Sequence, residues 1–310
     1  MTLDPQAQVL CDAMNQAPPL ELTDTTLDMQ RMMFGALLSM AGEPEACANV
    51  EDRDADGVPV RIYRPDGATD GDLPVVFWIH GGGWTIGTVE QYDPINRQVA
   101  NASGAIVVSP DYRLAPEHPF PAPLDDCWTA LQWTATYARD FGGDPTKLAV
   151  GGDSAGGNLS AVCALLARDQ GGPALALQAL VYPVTDADFT TESYVDNGEG
   201  YLLDLAQMKW FFNCYTRGGV DPLQWKISPL RVERVEGVAP AVVITGEYDP
   251  LRDEGEAYAK RLAGAGRLVT ERRYPGMVHA FFGLSAAFDA STDAMQLVGT
   301  ELRRAFGTLD

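Results

Sequence analysis

Three histidines are all that this 310-residue chain contains, too few for a metal cluster. Its five cysteines (Cys11, Cys47, Cys127, Cys163 and Cys214) are scattered, odd in number and without C-x-x-C spacing. They suggest neither a disulfide framework nor a zinc site. Cys163, inside an apolar run, reads as core packing. No apolar run approaches the ~18 residues of a membrane span. The start, Met1-Thr2-Leu3-Asp4-Pro5, lacks the basic patch and apolar stretch of a secretory signal. The cytoplasm is the expected location, and no membrane partner is expected. Basic residues are also scarce: 22 Lys and Arg stand against 43 Asp and Glu, a formal charge of −21. Such a surface repels phosphate backbones, which argues against nucleic acid as a partner, and the acidity suits solubility. Internal repeats and low-complexity tracts are absent.

What is present is an ordinary globular composition, 46% apolar, with length for one large α/β domain and an inserted or appended subdomain. Residues 1 to about 45 carry Met, Leu and Ala at helical spacing, predicting two short amphipathic helices separated by Ala17-Pro18-Pro19-Leu20. Cys47 to Glu51 and Val58 to Tyr63 read as a hairpin around an acidic, solvated Asp54-Ala55-Asp56-Gly57 turn. Short apolar strands follow at Leu73 to Ile79, Ala105 to Ser109, Leu148 to Val150, Leu177 to Tyr182 and Ala241 to Thr245, with an alternating strand at Leu268 to Tyr274. Helical patterns fall at Leu124 to Ala138, Asn158 to Arg168, Arg252 to Ala263 and Ala287 to Phe306. This alternation predicts an α/β fold with a mainly parallel sheet covered on both faces. Residues ~185 to 230 break the rhythm: polar at first, then aromatic (Tyr194, Tyr201, Trp210, Phe211, Phe212, Tyr215), and longer than an ordinary connection. They read as an inserted helical cap packed on the N-terminal helices. The expected division is therefore 1–45 (cap helices), 46–184 (first part of the main domain), 185–230 (cap insertion) and 231–310 (second part).

The chain is organised around Lys147 to Leu159, where an apolar strand runs into Gly151-Gly152-Asp153-Ser154-Ala155-Gly156-Gly157 and then a helix. Strand, tight glycine turn and helix give a G-x-S-x-G match the context of a nucleophile elbow, with Ser154 pushed out at a strand's carboxyl end. The amides and positive dipole end of the following helix would face any anion formed there. A serine hydroxyl needs a base, and the base needs an orienting carboxylate. Among the histidines, His279 follows the last predicted strand. His118 lies among prolines and suits holding a loop, and His80 heads a triple glycine as backbone scaffold. Asp249, just after the strand at Ala241 to Thr245, is the favoured carboxylate; Asp253 and Glu254 suit the dipole of the next helix. The resulting order of Ser154, Asp249 and His279 is that of α/β-hydrolases. Gly81-Gly82-Gly83 and Ala155 would offer backbone amides to the oxygen that becomes negative when an ester carbonyl is attacked. Trp84 and Asp153, beside these residues in sequence, are expected to bind substrate.

These motifs (His80-Gly81-Gly82-Gly83-Trp84, Asp111 to Glu117, Gly152 to Gly157, Asp249 to Glu254, and Gly276-Met277-Val278-His279) span residues ~55 to 285 in order. Together the chain resembles the bacterial hormone-sensitive-lipase-like carboxylesterases of the α/β-hydrolase superfamily. The resemblance implies an eight-stranded, mostly parallel sheet with a helical cap. It implies a Ser154, His279 and Asp249 triad, an oxyanion hole of Gly82, Gly83 and Ala155, and cofactor-free cleavage of small short-chain acyl esters. Ala280 stands where many relatives have glycine. The same triad could attack an amide, so an amidase or formamidase is the second reading. A ligand receptor on the hydrolase fold, as in some plant relatives, is a third; a pure binder has no need of all three residues. Edge-to-edge pairing of the strand at Leu268 to Tyr274 would give a homodimer.

Overall fold

The computed structural model describes residues 2–16, 21–68 and 71–309. Two helices come first, α1 (Pro5–Gln16) and α2 (Leu27–Leu38); the expected break at Ala17 to Leu20 lies outside the described residues. Strands β1 (Cys47–Ala55) and β2 (Val58–Pro65) then form an antiparallel hairpin. Its turn is shorter than the sequence suggests. Ala55 pairs with Val58 and is buried, so the loop is Asp56-Gly57 alone. Both residues have positive φ, 55° and 93°, the conformation that joins two twisted strands most tightly.

Next come β3 (Leu73–Ile79), α3 (Asp93–Ser103), β4 (Ile106–Pro110), α4 (Ala122–Tyr137), β5 (Gly143–Asp153) and α5 (Ala155–Gln170). After β6 (Gln178–Val181) the chain leaves the sheet for α6 (Glu192–Asn197) and α7 (Leu205–Tyr215). It returns through β7 (Ala241–Tyr248), α8 (Arg252–Gly264), β8 (Leu268–Val278) and α9 (Asp289–Phe306). Helix α3 is absent from the sequence reading for a physical reason. Its inward face carries Asn96 and Gln98 beside Ile95, Val99 and Ala100, which blurs the apolar period. Gln98 donates to the Ala41 carbonyl at 3.0 Å and to Ser285 Oγ at 3.1 Å, so its burial leaves the amide donors partnered.

The eight strands lie in the order β1-β2-β4-β3-β5-β6-β7-β8. The first two ladders are antiparallel and the rest parallel. The sheet divides two apolar layers. Along β3, Val75, Phe77 and Ile79 face the layer of α4, α5 and α8, while Val76 and Trp78 face that of α3 and α9. All five are fully buried, as expected of a parallel strand covered on both sides. Each such side chain contributes roughly 1.5–3 kcal/mol through removal from water. No described helix is long and apolar enough to cross a membrane.

Candidate active site

Parallel pairing aligns the carboxyl ends of the central strands, and the residues singled out by the sequence are the first beyond those ends. Strand β5 ends at Asp153 and Ser154 follows; β7 ends at Tyr248 and Asp249 follows; β8 ends at Val278 and His279 follows. Register completes the arrangement: Ile79 pairs with Gly152, Asp153 with Val181, and Tyr248 with Val278. Residues 125 apart in sequence are thereby joined. His279 Nε2 lies 3.0 Å from Ser154 Oγ, and His279 Nδ1 lies 2.7 Å from Asp249 Oδ2. A carboxylate only accepts, so Nδ1 carries the proton and Nε2 is left to accept from the serine hydroxyl. Asp249 is fully buried and its Oδ1 accepts the Leu251 amide at 2.8 Å. Such an imidazole can take a proton from Ser154 and be steadied by Asp249 while it holds the charge.

Ser154 adopts φ 56° and ψ −120°, a backbone conformation that an L-residue keeps only under constraint. The constraint is visible on both sides. The Ser154 amide donates to Val181 O at 2.9 Å, and a Cβ on Gly156 would come within 1.9 Å of the Ile79 carbonyl oxygen. Helix α5 therefore packs against β3 closely enough to fix the turn, and any larger residue at 156 would push it away.

In the glycine loop every carbonyl is spoken for. Gly81 O faces His80 Nδ1 at 2.7 Å, Gly82 O accepts from Thr85 N and Ile86 N, Gly83 O accepts from Thr85 Oγ1, and Trp84 O accepts from Ala115 N. The Gly81 amide donates to Tyr92 Oη at 3.1 Å. No acceptor is found among the described residues for the amides of Gly82 and Gly83, and Ala155 N, first in α5, has no intrahelical one. These three amides can receive an anion. Gly83 (φ 56°) has the Phe211 ring where a Cβ would stand, 2.3–2.5 Å away, so an aromatic side chain of α7 lies directly on the loop.

His80 is packed into the interior behind the glycine loop. It is fully buried, stacked on Tyr112 at 4.3 Å, with its pKa lowered by burial. His118 is exposed, with its backbone amide bonded to Leu114 O. Trp84 and Asp153 differ from the expectation that they bind substrate. The Trp84 ring is wholly buried, stacked on Tyr215 at 4.4 Å with Phe212 at its edge, so no face of it is open to a solute. Asp153 turns inward as well: its Oδ2 accepts the Tyr92 hydroxyl at 2.9 Å. Burial raises its pKa to about 6, with the Tyr92 bond and the neighbouring His279 opposing the rise. Glu254, assigned to the dipole of α8, is buried too. Its Oε1 accepts the Thr185 and Asp186 amides at 2.7 and 3.2 Å, and burial holds its pKa well above the usual range. Tyr92, Tyr182 (ring 4.5 Å from His279) and Phe211 border the site without having been singled out as site residues.

Comparison with known proteins agrees with this fold. A family model of the α/β-hydrolase fold matches residues 76–283. The carboxylesterase NlhH of Mycobacterium tuberculosis is 40% identical over 98% of this chain and 96% of its own length. An arylesterase of Saccharolobus solfataricus is 36% identical, covering 91% of this chain and 93% of its own. Among solved structures, the ester hydrolase EH1AB1 from the Lake Arreo metagenome, complexed with a bipyridine phosphonate derivative, superposes with a TM-score of 0.93. It is 39% identical and covers 99% of this chain and 100% of its own. The chain belongs to the hormone-sensitive-lipase-like family of α/β-hydrolases and is a carboxylic ester hydrolase.

Proposed function

We propose that the protein hydrolyses short-chain acyl esters through an acyl-enzyme on Ser154. His279 takes the Ser154 proton as Oγ attacks the carbonyl carbon, and Asp249 steadies the imidazolium. The new oxyanion rests on the Gly82, Gly83 and Ala155 amides. His279 then gives its proton to the departing alcohol, and a water activated by the same imidazole releases the acid. The observation that carries this reading is the unbroken run from Asp249 Oδ2 through His279 to Ser154 Oγ, at 2.7 and 3.0 Å, beside amides for which no acceptor is found among the described residues. A single oxyanion donor is worth about 2.7–4 kcal/mol in other hydrolases.

The preference for short acyl chains rests on enclosure. Ser154 and His279 are each 7% exposed, and the Phe211 ring covers Gly83. We assign that enclosure to a cap built from residues 1–45 and 185–230. Supporting this, Asn15 Nδ2 donates to Gly200 O at 3.2 Å, Arg217 pairs with Asp24 at 2.9 Å, and Arg31 Nε donates to Thr85 O at 3.2 Å behind the glycine loop. The test is Ser154→Ala assayed on p-nitrophenyl esters from acetate to laurate. The reading requires turnover to fall by at least about 10³-fold on every ester, and wild-type kcat/KM to peak at acetate or butyrate. Undiminished turnover by the folded variant would sink the mechanism, and a peak at laurate would sink the chain-length preference.

A further inference from the structure

Two loops must stay in register for this chemistry: the elbow that aims Ser154 and the glycine loop that aims the amides. They belong to different strands, and no main-chain hydrogen bond between them occurs among the described residues. A side-chain bridge does join them. The Gly81 amide donates to Tyr92 Oη at 3.1 Å, and the Tyr92 hydroxyl donates to Asp153 Oδ2 at 2.9 Å. Tyr92 is 2% exposed and Asp153 7%. The fit is close, since a Cβ on Gly81 would stand 2.4 Å from Asp153 Oδ2 and 3.0 Å from Tyr92 Oη. The bridge ends on the residue that precedes Ser154 at one side and on the residue that precedes Gly82 at the other.

We propose that Tyr92 and Asp153 are positioning residues that lock the oxyanion amides to the nucleophile elbow, supporting turnover without touching substrate. The inference rests on the Ser154 reading above. A residue kept only for packing explains it less well. Asp153 Oδ1 is buried with no partner among the described residues, an arrangement that costs stability and that an apolar side chain would avoid. With its pKa near 6 the carboxyl is mainly ionised at neutral pH, which makes the Tyr92 bond charge-assisted. The bridge is thus a directional link, strong at the point where a fraction of an ångström in the Gly82 and Gly83 amides changes how they meet an oxyanion.

The test is Tyr92→Phe, which removes one hydroxyl and keeps the ring packed on His80 at 5.2 Å. Activity is expressed per active site by end-point titration with a phosphonate ester, so that misfolded protein does not count. The expected result is a fall in kcat of roughly tenfold with KM changed less than about twofold. The inhibition constant of a trifluoromethyl ketone, which forms an oxyanion in the site, should rise by a similar factor. Asp153→Ala should do the same, and Asp153→Asn, which restores an acceptor for Tyr92, should recover most of the loss. Should Tyr92→Phe fail to fold, the Asp153 pair decides the matter by the same readouts. A kcat per site within about twofold of wild type in Tyr92→Phe, whatever its stability, would overturn the proposal, as would equal losses in Asp153→Asn and Asp153→Ala. If Ser154→Ala is inactive while Tyr92→Phe is normal, only the bridge is wrong; if Ser154→Ala is active, the mechanism beneath it is wrong.

Discussion

The carboxyl edge of the sheet and the helices proposed above as its cap are held by different forces. At the edge, Ser154, Asp249 and His279 each stand one residue past a strand, so their backbones inherit the parallel ladder. The cover of α1, α2, α6 and α7 is fastened to the sheet and to itself largely through side chains. Arg31 grips Glu117 at 2.8 Å, Arg217 grips Asp24, Ser193 Oγ donates to Pro250 O, and Trp84 stacks on Tyr215. Main-chain ladders fix positions to fractions of an ångström and tolerate almost no change. Side-chain fastenings can be exchanged one at a time. A chain built this way can keep one reaction while altering what reaches it, so changes at the edge should remove chemistry and changes in the cover should move selectivity.

The sharpest way to break this contrast is at the edge. Asp249→Asn keeps the shape but lets His279 adopt the wrong tautomer, and kcat on p-nitrophenyl butyrate should fall on the order of 10⁴-fold, as the same change does in a Ser-His-Asp protease. A loss under about tenfold would mean that the imidazole is oriented by something else. In the cover, Phe211→Ala should lower stability by about 3 kcal/mol in urea unfolding. It should also shift kcat/KM toward longer esters several-fold, because the buried ring leaves the Gly83 loop. An unchanged chain-length profile would remove Phe211 from selectivity.

A third comparison uses pH. The Asp153 carboxyl has a folded pKa of about 6 against an ordinary 3.8. The native state therefore holds this proton more tightly than the unfolded chain does. Its contribution to stability is fully present below 3.8 and is lost as pH rises through 6, about 3 kcal/mol in all. Asp153→Asn lacks this titration, so its stability relative to wild type should improve between pH 4 and pH 7 in paired urea melts. A difference that does not change with pH would contradict the burial of a charged group there. The smallest effect belongs to Glu117→Ala, which breaks the ion pair with Arg31 and leaves the Arg31 bond to Thr85 O in place. The pair is partly exposed, 28% and 48%, so its loss should cost under about 1 kcal/mol and less still in high salt. A larger loss would mean that α2 is more than a side-chain fastening.

How far the sequence reveals each region follows from the same contrast. Ser154, Asp249 and His279 each come four or five residues after the end of a strand read from the sequence, at Val150, Thr245 and Tyr274, and a parallel sheet has only one edge at which such residues can meet. The strands of the sheet are legible for that reason, their limits shifting by a few residues at Ile106 and Gly143. Tyr92 is invisible because it caps a helix whose buried face is partly polar, and its partner Asp153 is 61 residues away. Trp84 and Asp153 mislead because adjacency in a motif says nothing about which way a side chain turns. Their neighbours open toward the site while they pack on Tyr215 and Tyr92. The aromatic density of 185–230 signals a buried face but not that Phe211 meets Gly83, which depends on how α7 lies over the sheet.

The central claim is that Ser154 forms the covalent intermediate, and chemical capture tests it most directly. Protein inactivated with diethyl p-nitrophenyl phosphate is digested with trypsin, and the peptide from Leu148 to Arg168 is sequenced by mass spectrometry. One diethylphosphoryl group on Ser154, in proportion to lost activity and absent from Ser154→Ala, is the predicted result. Complete inactivation with Ser154 unlabelled, or with the group on another side chain, would contradict it.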